Sequence, residues 1–453
     1  MRSGFVFCSL LFALAEAGSL RSVYRTARHD VAHNNVINSG TKFVFAFPSS
    51  HIDPNSATDI EKLSITFTNS DPQRSASVVV DSIYPGFTKQ QTSVPPNSTS
   101  TIYLNPVDIQ AGYRYKNNSG TVLEKKGISI TSDIPVIALA ENQHNDGGSS
   151  DTYTIFPVCN LGNTYKAIGD MSIKEKTNIF TIVAIEDNTR VTFSNRAAIT
   201  TKKLNRLETL TYLSEDIITT NNPISADKNV AVISGSVCGY GFNAASFAPC
   251  NEEMIMLLPE GAWGKKYPFA PFSSTDRFEF IAVLSAEKTL FKIGNWYQKE
   301  LSNSSYEVMS IESDVIEGDK PIDVIAVGGT TNPDYLGAPF FTHVPAVEQF
   351  IQGTFIINTG IDEHDDKTSK HFIRFIQSMW DFDSPILVDG WPVNGLIYTR
   401  IGRTDFFYID YPLDNGQHVV TSANKFGCVV YGYGKFIGYA YAPSLNIPST
   451  GTC

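Results

Sequence analysis

Apolar residues in this chain fall in runs or alternations of five to eight positions, rich in Val, Ile, Phe, Tyr and Thr, with Gly, Pro, Asn and Asp between them. Spacing at the helical period is nearly absent. A period of two puts every second side chain on one face of a pleated strand, so the pattern predicts an all-β protein.

The strand signals also recur in a fixed order, which is the mark of a repeat architecture. One element is a short strand with a bend at Pro, often followed by a Gly-x-x-aromatic. It reads Phe43 to Pro48, then Thr152 to Pro157 with Leu161-Gly-Asn-Thr-Tyr165, then Ile255 to Pro259 with Trp263-Gly-Lys-Lys-Tyr267. Phe341 to Pro345 with Gln352-Gly-Thr-Phe355 is the fourth copy, and Tyr439 to Pro443 is a lone fifth. A second element looks like a hairpin: Leu63–Phe67 with Val78–Val80, Phe180–Ile185 with Val191–Phe193, Phe278–Leu284 with Leu290–Ile293, and Phe372–Ile376 with Ile386–Val388. A third reads as strand, polar turn, strand, at Ile128–Ala140, Ile217–Ile233, Ile316–Val327 and Val419–Val430.

The prolines at 48, 157, 259, 345 and 443 lie 109, 102, 86 and 98 residues apart. Each unit carries six or seven strand signals, which fits tandem antiparallel β-sandwich-like repeats. The alternative is a β-propeller whose last strand closes on its first, although a blade needs only ~40–50 residues. The expected repeats are 40–150, 151–250, 251–338 and 339–445, the last including the closing strand. A polar segment, 18–39, precedes them and a tail, 446–453, follows.

The N-terminus adds a compartment. Met1 and Arg2 precede the apolar stretch Phe5–Ala15, and Ala15-Glu16-Ala17 supplies small residues for a signal peptidase. The stretch is too short for a spanning helix, which needs ~20 residues. A signal peptide over 1–17, cleaved after Ala17, predicts a secreted, extracellular protein. No later run is long enough to cross a membrane, and the end of the chain lacks the tail of a lipid-anchor signal. The formal charge is −11 without a basic cluster, which argues against nucleic acid as a partner.

In that compartment cysteines oxidise. Five remain after cleavage: Cys159, Cys238, Cys250, Cys428 and Cys453. Cys238 and Cys250 flank a Gly-rich loop and are the expected disulfide. The odd thiol left over makes Cys453, at the chain end, a candidate for an intermolecular bond. Sequons at Asn97, Asn117 and Asn303 are expected glycosylation sites on surface loops.

Taken in order, Gly127-Ile-Ser-Ile-Thr-Ser-Asp-Ile-Pro-Val136, Asp151-Thr-Tyr-Thr-Ile-Phe-Pro157 and Leu161-Gly-Asn-Thr-Tyr165 resemble the N-terminal domain of the IgGFc-binding protein family. The resemblance covers roughly residues 40 to 445. It implies a secreted protein, associated with mucus or matrix, that binds and does not catalyse. Larger members continue into cysteine-dense von Willebrand type D modules, which this sequence lacks. No residue motif carries antibody Fc binding onto positions here.

Catalytic signatures fail. There is no HExxH, Walker A loop or G-x-S-x-G elbow, and Val237 stands at the nucleophile position of Gly235–Gly239. The eight histidines show no metal spacing, so no catalytic, cofactor or metal residue is assigned. The acidic stretches Glu141–Asp151 and Asp362–Asp366 carry oxygen ligands suited to Ca²⁺, but Asn142 and Tyr153 stand where an EF-hand has Asp and Glu. Loops following the third element, 144–150, 239–245 and 328–337, are candidate binding loops, with Asp146, Asp151, Tyr240, Phe242 and Tyr335 as their contact residues. An extracellular protein or glycan is the expected partner. A glycan hydrolase with carboxylates drawn from distant loops, and a disulfide-linked structural oligomer, are the alternatives.

Overall fold

A computed structural model describes residues 38–50, 61–112, 120–144, 149–170, 178–194, 198–214, 222–240, 251–273, 279–328, 337–359, 369–393, 397–434, 437–451 and 453. The proposed signal peptide lies outside them. The fold is almost wholly antiparallel β-sheet, in four sheets that follow one another along the chain.

The first sheet contains β1 (Gly40–Phe45), β2 (Glu61–Asn69), β3 (Ala76–Ser82), β4 (Gln90–Val94) and β5 (Ser98–Leu104). After β6 (Gly120–Glu124), which leaves for the next sheet, come β7 (Ile128–His144) and β8 (Ser150–Ile155). The second sheet is β9 (Gly162–Lys166), β10 (Asn178–Ala184), β11 (Thr189–Ser194), β12 (Ile199–Leu204), β13 (Thr209–Ser214), β14 (Pro223–Gly239) and β15 (Asn251–Met256). Strand β6 pairs with β13, so the stretch read as the first repeat lends a strand to the second. The third is β16 (Gly264–Phe269), β17 (Glu279–Ser285), β18 (Thr289–Ile293), β19 (Tyr297–Leu301), β20 (Tyr306–Ile311), β21 (Asp314–Gly328) and β22 (Phe340–His343). The fourth is β23 (Ile351–Asn358), β24 (Lys370–Ser378), β25 (Leu387–Val388), β26 (Trp391–Pro392), β27 (Thr399–Arg400), β28 (Phe406–Leu413), β29 (Gln417–Gly434) and β30 (Ile437–Tyr441).

Each unit is organised by one long strand: β7, β14, β21 or β29. The first half of β7 pairs with β1 and β3, and its second half with β2 and β8. The other units repeat this arrangement, so each is a curled two-layer sandwich whose layers share a strand. This corrects two expectations. The third element is not two strands around a turn but a single strand that bends. The second element is not a hairpin: β2 and β3 each pair with β7, on its two halves, and not with each other.

The bend accounts for the residues that read as a turn. Against β1, the register of β7 jumps from Thr131 to Val136, leaving Ser132-Asp-Ile-Pro135 as a bulge. Pro lacks an N–H and is tolerated at such a position. Asp133 there accepts a hydrogen bond from Ser77 N at 2.7 Å. Asp227 accepts from Arg190 N and Asp319 from Leu290 N, both at 2.8 Å. In three units a bulge carboxylate thus replaces the ladder acceptor that the bulge removes.

The Gly-x-x-aromatic motif joins neighbouring units. Tyr165 accepts from Gly162 N at 2.9 Å and donates to Val230 O at 2.8 Å. Tyr267 repeats this with Gly264 N and Ile322 O. The glycines face the bend at the end of the inner strand ahead. A Cβ on Gly40 would stand 2.6 Å from Pro157 Cβ, and one on Gly162 2.6 Å from Pro259 Cβ. Between units 3 and 4, the buried Arg374 is held bidentately by Asp410 and also donates to Ala270 O and Pro271 O.

The units close into a ring. The innermost strands β8, β15, β22 and β30 each pack on the next, and β30 packs on β8. Their axis is filled by side chains including Thr154, Ile255, Thr342 and Ala440, leaving a void of about 10 Å³, at the lower limit for a single water. Asn251, at the start of β15, reaches inner strands β8 and β30 and the residue preceding β22: its amide donates to Ser150 O, Gly438 O and Pro339 O, and its carbonyl accepts from Ser150 N. Sandwich-like units and a propeller-like closure therefore coexist. The largest apolar core runs through units 1 and 2 into unit 3 without a break.

The C-terminal tail seals the ring. Asn446 N donates to Gln349 O, Thr450 N donates to Cys159 O, and Cys453 O accepts from Thr41 N at 2.9 Å. Cys453 is disulfide-bonded to Cys159. The expectation that Cys453 is free for an intermolecular bond is thereby corrected: the tail docks across the start of unit 2 and brings the thiol onto its partner.

Candidate functional site

Most residues singled out from the sequence do not converge. Asp151 lies within β8, not in a loop. It is buried, and its carboxylate accepts from Thr152 N and Met254 N. Burial pushes its pKa well above the ordinary value, against the pull of those two hydrogen bonds. Asp151 is therefore a piece of the ring and is withdrawn as a loop contact. Tyr240 is half-buried, with its N–H on Asp170 at 2.7 Å. Asp146, Phe242, Tyr335, Asn117 and Asp362–Asp366 lie outside the described residues. Cys238 is disulfide-bonded, and Cys250, its expected partner, also lies outside them. Cys428 is a buried free thiol. Asn97 and Asn303 are exposed in turns, and Asn97 adopts a left-handed φ of 47°.

A groove of about 910 Å³ opens instead where unit 3 meets unit 4, a volume within the range of small-molecule sites. Its floor is a cross-strand charge trio. Glu317 on β21 faces Lys266 on β16 and Lys292 on β18, and each lysine reaches one of its oxygens at 2.8 Å. Burial works to raise the Glu317 pKa, but the two lysines outweigh it and hold the carboxyl below its usual range.

One wall is the β18–β19 turn, Gly294-Asn295-Trp296. Trp296 is 59% exposed, yet its indole is fixed: Nε1 donates to Asp314 Oδ2 at 3.0 Å. The other Asp314 oxygen accepts from Val315 N at 2.8 Å. Two left-handed glycines close over this carboxylate, Gly294 from unit 3 (φ 49°) and Gly402 from unit 4 (φ 54°). A Cβ would stand 2.3 Å from the carboxylate at Gly294 and 2.7 Å from it at Gly402. Glycine answers both the backbone angle and the close approach. The β27–β28 turn, which meets the first turn at Asp314, also lines the groove; it is braced by Thr404 N and Oγ1 donating to Ile401 O and carries Arg403.

The groove thus offers an aromatic face held in place, serine and threonine hydroxyls, and a guanidinium with no ion-pair partner among the described residues. Among the described residues no group of three His, Cys, Asp or Glu is placed to hold a metal. The reading of the sequence missed this site. Its single local signal is the Gly-Asn-Trp turn ahead of a mostly polar strand.

A family described as IgGFc binding protein matches residues 151–432, more than half of the chain. This chain belongs to the IgGFc binding protein family. A curated relative, the IgGFc-binding protein of Homo sapiens, is 21% identical over 240 residues, which is 51% of this chain and 4% of the relative. The chain therefore spans a small fraction of that relative's length. Among solved structures, one described as a bacterial ice-binding adhesin covers 63% of this chain and 90% of its own at 11% identity, with a TM-score of 0.11, too low to bear on the fold. Every residue of the groove falls inside the span matched to the IgGFc binding protein family. The first repeat lies before that span but shares its two-layer design.

Proposed function

We propose that this chain is a secreted extracellular binding protein, associated with matrix or mucus, that acts without catalysis and engages its partner at the groove between units 3 and 4. The observation that carries this reading is the exposed, hydrogen-bonded Trp296 lining, together with Arg403, a groove built from two units. An exposed aromatic fixed before its ligand arrives loses little entropy on binding.

Non-catalytic action is supported by the state of Glu317, one of three carboxylates that line the groove with Glu312 and Asp314. Glycoside hydrolysis needs one carboxylic acid with a raised pKa beside a second carboxylate, whereas the lysines hold Glu317 down. Export is supported by the signal-like N-terminus and by the cystine joining Cys159 to Cys453, since such bonds persist in oxidising compartments. The human relative is named for binding IgG Fc; for this chain the proposed partner is an extracellular protein or glycan. No helix of the described residues is long and apolar enough to cross a membrane.

Two measurements test the reading. Expressed in secretory cells, the protein should appear in the medium beginning at Gly18; an intact Met1 would refute secretion by this route. Immobilised, it should capture a partner from extracellular fluid that a Gly402→Val variant, folded but with Asp314 displaced, does not retain. Equal capture by both would remove the groove from the proposal.

A further inference from the structure

Resting on the binding reading above, we propose that the groove is a carbohydrate site that takes an acidic pyranose, with Trp296 as its stacking platform and Arg403 as its carboxylate ligand. A pyranose ring presents a face of C–H groups, slightly positive, which suits the negative face of an indole. Trp296 offers such a face. Its N–H is already bound by Asp314 and Tyr297 leans against it with ring centroids 5.8 Å apart, so the ring is oriented while much of its surface stays exposed.

The charges in the groove are not equivalent. Lys266 and Lys292 are both committed to Glu317. Asp314 is committed to Trp296 and to Val315 N, and Glu312, the third carboxylate of the lining, is also engaged. Arg403, which also lines the groove, has no ion-pair partner among the described residues. A planar guanidinium with free donors matches a carboxylate bidentately. Asn295, Ser310, Ser313 and Thr404 line the space between and suit ring hydroxyls. An aromatic platform sharing a groove with an unpaired guanidinium suits a sugar that carries a carboxylate. That carboxylate has two natural sources, a terminal sialic acid or a uronate within a polysaccharide.

The test is calorimetric titration of the whole purified protein with 3′-sialyllactose, a hyaluronan tetrasaccharide and lactose, with Trp fluorescence as a second readout. At least one acidic probe should bind, and lactose should bind about tenfold or more weakly. Trp296→Ala should abolish binding of the acidic probe, while Trp391→Ala, an exposed indole on the hairpin of the next unit, should leave it intact. Arg403→Ala should reduce the acidic probe to the affinity of lactose. Circular dichroism and thermal melting establish that each variant is folded, and Gly402→Val, which disturbs Asp314 without touching Trp296, supplies a second route to the same loss. Preference for the sialyl or the uronate probe identifies the source. No binding of either acidic probe, equal binding of lactose, or binding indifferent to Trp296→Ala would each overturn the inference. If the acidic probes fail while the wild type still captures an enzymatically deglycosylated protein, only the carbohydrate inference falls; if capture fails as well, the binding reading falls with it.

Discussion

Cys453, the last residue, is bonded to Cys159 at the start of the second unit, 294 residues away in sequence. The bond lies beside Thr41, whose N–H and hydroxyl both donate to Cys453 O. Unit 1, unit 2 and the tail that leaves unit 4 thus meet at one point. A cross-link spanning most of the chain restricts the unfolded ensemble strongly. Cys453→Ser should therefore lower the unfolding free energy by about 2–5 kcal/mol. Denaturant melts of variant and wild type measure this, and a non-reduced peptide map should show Cys159 joined to Cys453. A map showing Cys453 joined to a second chain would contradict the closure.

The glycines of the Gly-x-x-aromatic motif face a proline or alanine of the junction ahead, so added volume there has nowhere to go. A Cβ at Gly264 would lie 2.3 Å from Ala346 Cβ. Gly162→Ala and Gly264→Ala should each destabilise by roughly 1–3 kcal/mol through overpacking. Gly261, with nothing within 4 Å of its virtual Cβ, provides the comparison: its alanine variant should melt like wild type. Equal effects at all three sites would mean that the junction yields.

Strand alternation made the all-β repeat legible, because a period of two survives whatever the strands pair with. Pairing itself was not legible. Ser132-Asp-Ile-Pro135 contains the residues of a turn, and a bulge draws on the same residue types for the same backbone reasons, so only the partners on both sides of β7 distinguish them. Cysteine parity left one thiol over but did not indicate that Cys453 returns to Cys159. The groove was hidden for a related reason. Trp296 and Arg403 stand in different units, on turns that approach only once units 3 and 4 pack together. Asp151 was misplaced because a polar residue beside Gly147-Gly148 reads as loop, whereas it occupies the inner strand that forms the axis.

Asp151 should make stability depend on pH in an unusual sense. Its folded pKa is raised by burial, while in the unfolded chain it titrates near the ordinary value of about 3.9. Between those two values the folded state holds the extra proton. Its contribution is therefore complete below about pH 4 and is lost as pH rises through the folded pKa. Asp151→Asn removes the titration. Denaturation midpoints taken from about pH 4 to pH 8 should fall less steeply for the variant than for wild type. Parallel profiles would show that Asp151 does not hold the proton.

Asn251 is the residue on which ring closure depends most directly. It is fully buried, and its amide faces three carbonyls from three other units while its carbonyl receives Ser150 N and Ser149 Oγ. Leucine has nearly the same size but no polar atoms. Asn251→Leu would leave several buried groups without partners, at about 1–3 kcal/mol each, so the loss should reach several kcal/mol. Asn251→Asp is the sharper variant. It keeps the acceptor but replaces the donor with an oxygen aimed at Ser150 O, Pro339 O and Gly438 O. Facing three carbonyls in a dry site, that carboxyl should hold its proton, and the protonated acid restores one donor. Stability of Asn251→Asp should thus approach wild type below the ordinary carboxyl pKa of about 3.9 and decline as pH rises through the raised folded value. Urea titrations of both variants across that range measure it. Wild-type stability of Asn251→Asp at neutral pH would show that the four inner strands are held together by apolar packing alone.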